Sequence, residues 1–187
     1  MADSAKREQW KEFLDEFQTE SDRSCAVLGA AFLDEQLRSL LEAFIVDDPK
    51  RIAELFDGVG APLSSFSAKI QMAYALGFVS PSELRDLELI RKVRNEFAHD
   101  LHGVIFATPS VASRCAELTG CNVVAGSIGG LGPRSRFTVS VAMLANWVAL
   151  RRLGIRDARR QVQGEVKVGW PIATEPEAPA QGTPAAN

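Results

Sequence analysis

At 187 residues the chain has the length of one domain, and its 46% hydrophobic and 24% charged residues are typical of a globular protein. This composition excludes a wholly disordered chain, and a net charge of −3 excludes a protein that coats nucleic acid along its whole surface. The three cysteines lack C-x-x-C spacing, so we expect neither a disulfide framework nor a zinc site. No signal-like segment and no run of about 18 apolar residues occurs, so we expect a cytoplasmic protein without membrane contact.

Apolar residues recur at helical spacing along most of the chain. Residues 1–20 predict a short amphipathic helix, and residues 21–160 predict the main helical domain. A long helix over 21–46 is apolar nearly all round, which is typical of a helix at the centre of a bundle. Asp48-Pro49 predicts the start of a short helix through Phe56, and an apolar stripe predicts another helix from Phe66 to about Gly77.

The second half of the chain has equally clear boundaries. Ser80-Pro81-x-Glu83 is a capping box that predicts a helix reaching about His99, and Thr108-Pro109 begins a short helix. The glycine-rich stretch 119–135 predicts a loop; it lacks Gly-Lys-[Ser/Thr], so we expect no nucleotide there. A last helix runs from about 137 to 153, and the Pro/Ala-rich residues 161–187 predict a mostly disordered tail. The fold class is therefore all-α, a compact helical bundle with a disordered C-terminal tail.

The helix predicted over 81–101 carries the most informative polar residues. Arg94 falls inside its apolar half, whereas Asn95 and His99, four residues apart, share a face beside it. Three interpretations stay open at this point. Arg94 extends its charged end out to solvent, pairs with an acid such as Glu35 or Glu42 on the central helix, or lines a cleft or a subunit interface with Asn95 and His99.

Histidines offer little for metal binding in this sequence. The sequence has only two histidines, His99 and His102. With Asp100 they make three ligands, and no fourth ligand is evident. We therefore expect no metal and no cofactor.

Residues 151–160, RRLGIRDARR, hold five arginines and one aspartate. If helix continues through them, four guanidinium groups lie within about 100° of one another. This arc is either a solvated helix C-terminus, where cations are favourable, or a phosphate contact for nucleic acid. Its members are Arg152, Arg156, Arg159 and Arg160.

The string LSSFSAKIQMAYALGFVSPSELRDLELIRKVRNEFAHD resembles the core of the mannitol operon repressor (MltR) family, and the resemblance runs from about Ser21 to Leu153. Its R-N-x-x-x-H, formed by Arg94, Asn95 and His99, also resembles the signature of the HEPN superfamily of helical ribonuclease toxins and RNA-processing domains. Members of the MltR family often carry an altered form of this motif, whereas here it is whole. Both resemblances imply a helical bundle, and HEPN domains pair through the motif helix, which implies a homodimer.

The two resemblances imply functions of different classes. The MltR resemblance implies a repressor-type transcriptional regulator that acts mainly through protein partners. A direct helix-turn-helix over 69–91 is disfavoured, because its second helix would point Glu83, Asp86 and Glu88 at DNA phosphates.

The HEPN resemblance implies a metal-independent endoribonuclease with RNA as its substrate and an antitoxin-like protein partner. In that function His99 takes the proton of the ribose 2′-OH, and Arg94 stabilises the charge that develops on the phosphorane. Asn95 orients either the phosphate or the imidazole of His99.

Overall fold

The computed structural model describes residue 17 and residues 19–100, 103–122, 130–155 and 159–162. These residues form helices and no strand, which confirms the predicted all-α bundle. Most of the expected first helix (1–20) and of the expected tail (161–187) lies outside the described residues. The bounded helices are α1 (Asp22–Phe44), α2 (Pro49–Phe56), α3 (Phe66–Ala75), α4 (Pro81–His99), α5 (Pro109–Ala116) and α6 (Pro133–Ile155).

Helix starts follow the local signals in the sequence. The hydroxyl of Ser21 accepts a hydrogen bond from the Ser24 amide at the start of α1, and the Asp48 carboxylate accepts two amides at the start of α2. At the start of α4 the predicted capping box is complete: Ser80 Oγ accepts from the Glu83 amide, and the Glu83 carboxylate accepts from the Ser80 amide. These bonds satisfy amide donors that the first turn of a helix otherwise leaves unpaired.

Helix α1 lies at the centre of the bundle, packed against α3, α4 and α6. The starts of α1 and α6 lie together, because Arg134 Nη1 is 2.6 Å from the Asp22 carboxylate. The end of α6 meets the start of α4 through Arg151 and Glu83, whose charged atoms are 2.9 Å apart. Helix α4 therefore runs antiparallel to both α1 and α6.

Aromatic side chains fill the core near the start of α1. The ring of Phe106 lies between those of Phe97 and Phe137, at centroid distances of 5.1 and 5.2 Å. Gly29 permits this packing, since a Cβ atom there would lie 2.8 Å from the Phe17 ring. Phe17 thus joins the core of the main domain, although it belongs to the segment expected to form a separate first helix.

Helix α6 begins at Pro133, earlier than the expected start near residue 137. A proline is favourable in the first helical turn, where its missing amide costs no hydrogen bond. The next residue, Arg134, is held by Asp22, which fixes this turn against α1. Of the expected loop at 119–135, residues 123–129 lie outside the described residues. Within the described part of the chain, no helix has the length and apolar character needed to cross a membrane.

Candidate functional site at the end of α4

Arg94, Asn95 and His99 occupy the last two turns of α4. Arg94 and Asn95 are partly buried, and His99 is exposed. The end of α4 lies beside the start of α1, since the Arg23 guanidinium donates to the carbonyl oxygen of Asp100. All three predicted site residues are therefore at one end of the bundle, where α1 and α4 meet.

Arg94 makes a local contact rather than an ion pair. Its Nη1 donates to Oδ1 of Asn95 at 3.1 Å. Glu42, one of the two acids expected as a partner, instead binds Arg38 at 2.7 Å, and Glu35 is exposed. Among the described residues, Arg94 has no carboxylate partner.

Two other acids of α4 are bound by cations. The Glu96 carboxylate binds Arg114 and accepts from the Ser110 hydroxyl, both on α5. The Glu88 carboxylate binds Arg91 at 2.8 Å within α4. Neither acid therefore pairs with Arg94.

Lys92 lies on the same face of α4 as Asn95 and His99, away from Arg94. It is exposed, and it precedes Asn95 by three residues and His99 by seven. On a helix these positions share a face. This spacing can be read from the sequence, although Lys92 lies outside the R-N-x-x-x-H pattern.

Arg159 and Arg160 are not part of a helix, so they do not join the arc that was expected if α6 continued to residue 160. Helix α6 ends at Ile155, and Arg156 lies outside the described residues. Arg159 donates to the Ile45 carbonyl at 3.0 Å and pairs with Asp47 at 2.9 Å, while the Arg160 guanidinium lies 4.8 Å from the Phe44 ring centroid. These two arginines bind the C-terminal end of α1, where the carbonyl groups of the last turn attract cations. Arg152 is partly buried at the end of α6.

Two carboxylates at the start of α4 are buried. Glu83 completes the capping box and pairs with Arg151. Asp86 is only 1% exposed and accepts hydrogen bonds from the amides of Thr119 and Gly120, the latter at 2.7 Å. This first turn therefore holds the bundle together, which leaves it unsuited to lie in a DNA groove.

Cys25 and Cys115 are buried and unsuited to chemistry at neutral pH. Burial raises the pKa of the Cys25 thiol to about 12, and burial likewise raises the pKa of Cys115 to about 12. Both are therefore protonated near neutral pH, whereas nucleophilic attack and metal binding require the thiolate. Within the described ranges, no group of three histidine, cysteine or acidic side chains could hold a metal ion. His102 lies outside those ranges.

Comparisons with known proteins give sequence relatives of two kinds and a structural neighbour. No protein-family model matches the chain. The chain is 30% identical to the mannitol operon repressor of Escherichia coli K12 over 100 residues, 51% of each protein. It is 28% identical to the biotin synthase of Desulforudis audaxviator over 144 residues, 71% of this chain and 42% of that protein. The chain thus spans about half or less of the length of the curated relatives it matches.

The structural neighbour is a chain in the X-ray structure of the MtlR-HPr complex from Escherichia coli. The TM-score is 0.57 at 18% identity, and the match covers 76% of this chain and 97% of that one. At this identity the match establishes a common fold. None of these relatives bears on the HEPN motif, which stays a prediction. The resemblance to the mannitol operon repressor is therefore confirmed by 30% identity over half of the chain, and the fold is shared with the structural neighbour.

Proposed function

We propose that the protein is a cytoplasmic regulator of the transcriptional repressor type, and that it acts by binding a protein partner. The observation that carries this proposal is the double likeness to the mannitol operon repressor, in sequence over half of the chain and in fold over three quarters. The structural neighbour is a protein in complex with HPr, so a protein of the HPr kind is the first partner to test.

The surface of α1 supports binding to a protein. Val27 is 36% exposed and Leu28 is 41% exposed, and both lie in the first half of the central helix with the exposed Ala31 one turn later. Apolar side chains in such a group are covered at protein interfaces, because removing them from water is favourable. The start of α4 also supports partner binding over direct DNA binding, since Glu83 and Asp86 are used inside the bundle.

Isothermal titration with purified HPr from the same organism tests this function. We expect saturable binding in the micromolar range, and we expect Leu28→Glu to weaken it at least tenfold. Val59→Glu is the matched control, because Val59 is a fully exposed apolar residue in the loop after α2, away from this surface. The absence of heat with HPr, under conditions in which the protein is folded, would contradict an HPr-type partner.

The homodimer expected from the sequence is a proposal as well. As the HEPN resemblance implies, the two copies would pair through α4, because an isologous interface uses one patch on both subunits. Multi-angle light scattering would then give twice the chain mass of 20.3 kDa. A clean monomer at micromolar concentration would exclude the dimer.

The geometry of the motif favours one second candidate, a metal-independent endoribonuclease. Arg94 and Asn95 are in contact, His99 is exposed one turn later, and no acid among the described residues neutralises Arg94. In this reaction His99 removes the proton of a ribose 2′-OH, and the 2′-oxygen attacks the adjacent phosphorus. The bond from phosphorus to the 5′-oxygen breaks, and that oxygen takes a proton from water. Arg94 stabilises the phosphorane charge and Asn95 orients a phosphate oxygen.

Incubation with single-stranded RNA in EDTA tests the ribonuclease. We expect 2′,3′-cyclic phosphate and 5′-hydroxyl ends, and loss of cleavage in both Arg94→Ala and His99→Ala. Arg85→Ala is the control, because Arg85 is an exposed arginine of the same helix that pairs with Glu117 outside the motif. A wild-type protein that leaves RNA intact would exclude this candidate.

A further inference from the structure

Residues 159–162, which we call the C-terminal strap, follow α6 and bind the end of α1. The Arg159 guanidinium pairs with Asp47 at 2.9 Å. The backbone amide of Arg160 donates to the Phe44 carbonyl at 2.9 Å. These contacts join residues more than a hundred positions apart, and they fix the point at which the chain leaves the bundle.

The C-terminal strap lies beside the end of α3. The Phe44 ring centroid is 4.8 Å from the Arg160 guanidinium and 5.0 Å from the centroid of the Phe78 ring, in the turn after α3. Helix α3 runs parallel to α1, because Lys69 and Asp34, earlier in the two helices, are also paired, at 2.7 Å. The residues that follow the strap therefore emerge next to the last turn of α3.

Two apolar side chains at the end of α3 are open to water, and we call them the Met72–Leu76 patch. Met72 is 39% exposed and Leu76 is 38% exposed. They follow Lys69 by three and seven residues, so they lie on the same face of α3 as this lysine, which points to α1. Because removing apolar side chains from water is favourable, the patch favours cover by another apolar segment.

The chain that continues from the strap has a pattern that suits this patch. The strap ends at Val162, which is 78% exposed. Beyond it, outside the described residues, the sequence QGEVKVGW alternates, with Val166, Val168 and Trp170 at every second position. In an extended chain such residues fall on one face, and the four residues from Val162 to Val166 span up to about 13 Å.

We propose that residues 166–170 bind the Met72–Leu76 patch of the same chain in an extended conformation, with their valines and Trp170 facing α3. The strap favours this occupant over a separate molecule, since a short tether gives the segment an effective concentration on the order of millimolar. While it is bound, the segment shields α3 from protein partners and leaves the apolar residues of α1 accessible. The inference is independent of the regulator and ribonuclease proposals.

Tryptophan fluorescence of the full-length chain tests this intramolecular contact. The emission of Trp170, taken as the difference between the wild type and Trp170→Phe, should lie at shorter wavelength than that of free tryptophan. Acrylamide should quench it several-fold less. Leu76→Glu should abolish both effects, because a carboxylate in the patch disfavours apolar cover. Leu153→Glu is the matched control, since Leu153 is an exposed leucine near the end of α6, at the same end of the bundle but outside the patch.

Circular dichroism establishes that each variant is folded, and Met72→Glu repeats the test on the second side chain of the patch. A Trp170 that is quenched like free tryptophan in the wild type would overturn the inference. So would protection that survives both patch variants, or protection that Leu153→Glu removes. Protection that falls on dilution would assign the patch to the segment of a second copy, and protection that appears only with an added protein would assign Trp170 to that partner. Either result would overturn the inference as well.

Discussion

Arg94→Ala should cost little stability, which distinguishes an arginine available to a ligand from one that balances a buried acid. The structure gives Arg94 one hydrogen bond, to the neighbouring Asn95 at 3.1 Å, on a partly exposed side chain. A hydrogen bond of this kind contributes about 0.5–1.5 kcal/mol, and the partly buried methylene stem adds about 0.5 kcal/mol. We therefore expect the free energy of unfolding to fall by about 1–2 kcal/mol. Removing one partner of a buried ion pair would cost about 3–5 kcal/mol.

Urea denaturation followed by circular dichroism at 222 nm measures this difference. His99→Ala is the companion variant, and since His99 is exposed its unfolding free energy should stay within about 0.5 kcal/mol of the wild type. A loss of 3 kcal/mol or more on Arg94→Ala, at an unchanged denaturant slope, would show that an acid depends on this guanidinium and would refute the reasoning.

Three further predictions concern the interior of the bundle. Asp86→Ala should lower the free energy of unfolding by about 3 kcal/mol in the same urea experiment, because it removes the acceptor of the Thr119 and Gly120 amides. A loss under 1 kcal/mol would contradict this. Gly29→Ala should lower the melting temperature by several degrees, since its Cβ would lie 2.8 Å from the Phe17 ring; an unchanged melting temperature would show that this ring moves freely. Burial raises the pKa of the Cys25 and Cys115 thiols to about 12, so both stay protonated at pH 8. Iodoacetamide should therefore modify them only when the protein unfolds. Rapid alkylation of the native protein, detected by mass spectrometry, would contradict this.

Local features of the sequence predicted the helices and their boundaries well. The capping box at Ser80 and Glu83 determines where α4 begins, because both of its hydrogen bonds lie within four residues. The apolar periodicity of α1 identified the central helix, since a helix that is apolar nearly all round is stable only when it is surrounded. The placement of Asn95 and His99 beside Arg94 followed from helical geometry alone.

The partners of charged side chains were decided by the tertiary structure. Helical spacing shows that Arg94 faces inward, but α4 runs antiparallel to α1. Arg94 therefore lies near the start of α1, whereas Glu42 lies in its last turn, bound to Arg38. Arg159 was predicted as part of a surface arc, yet it binds the end of α1, more than a hundred residues earlier in the chain.

The sequence by itself determined the all-α class, the helix that carries the motif and the face on which its polar residues lie. Only the tertiary structure showed which charged side chains pair with one another. Ion pairs such as Glu96 with Arg114 join two helices, and local sequence patterns do not predict how those helices are placed. The same holds for the buried Asp86, whose carboxylate accepts hydrogen bonds from amides 33 and 34 residues later in the chain. Short-range hydrogen bonds and periodicity can be read along the chain, whereas the packing of distant helices selects the electrostatic partners, and through them the surface available for function.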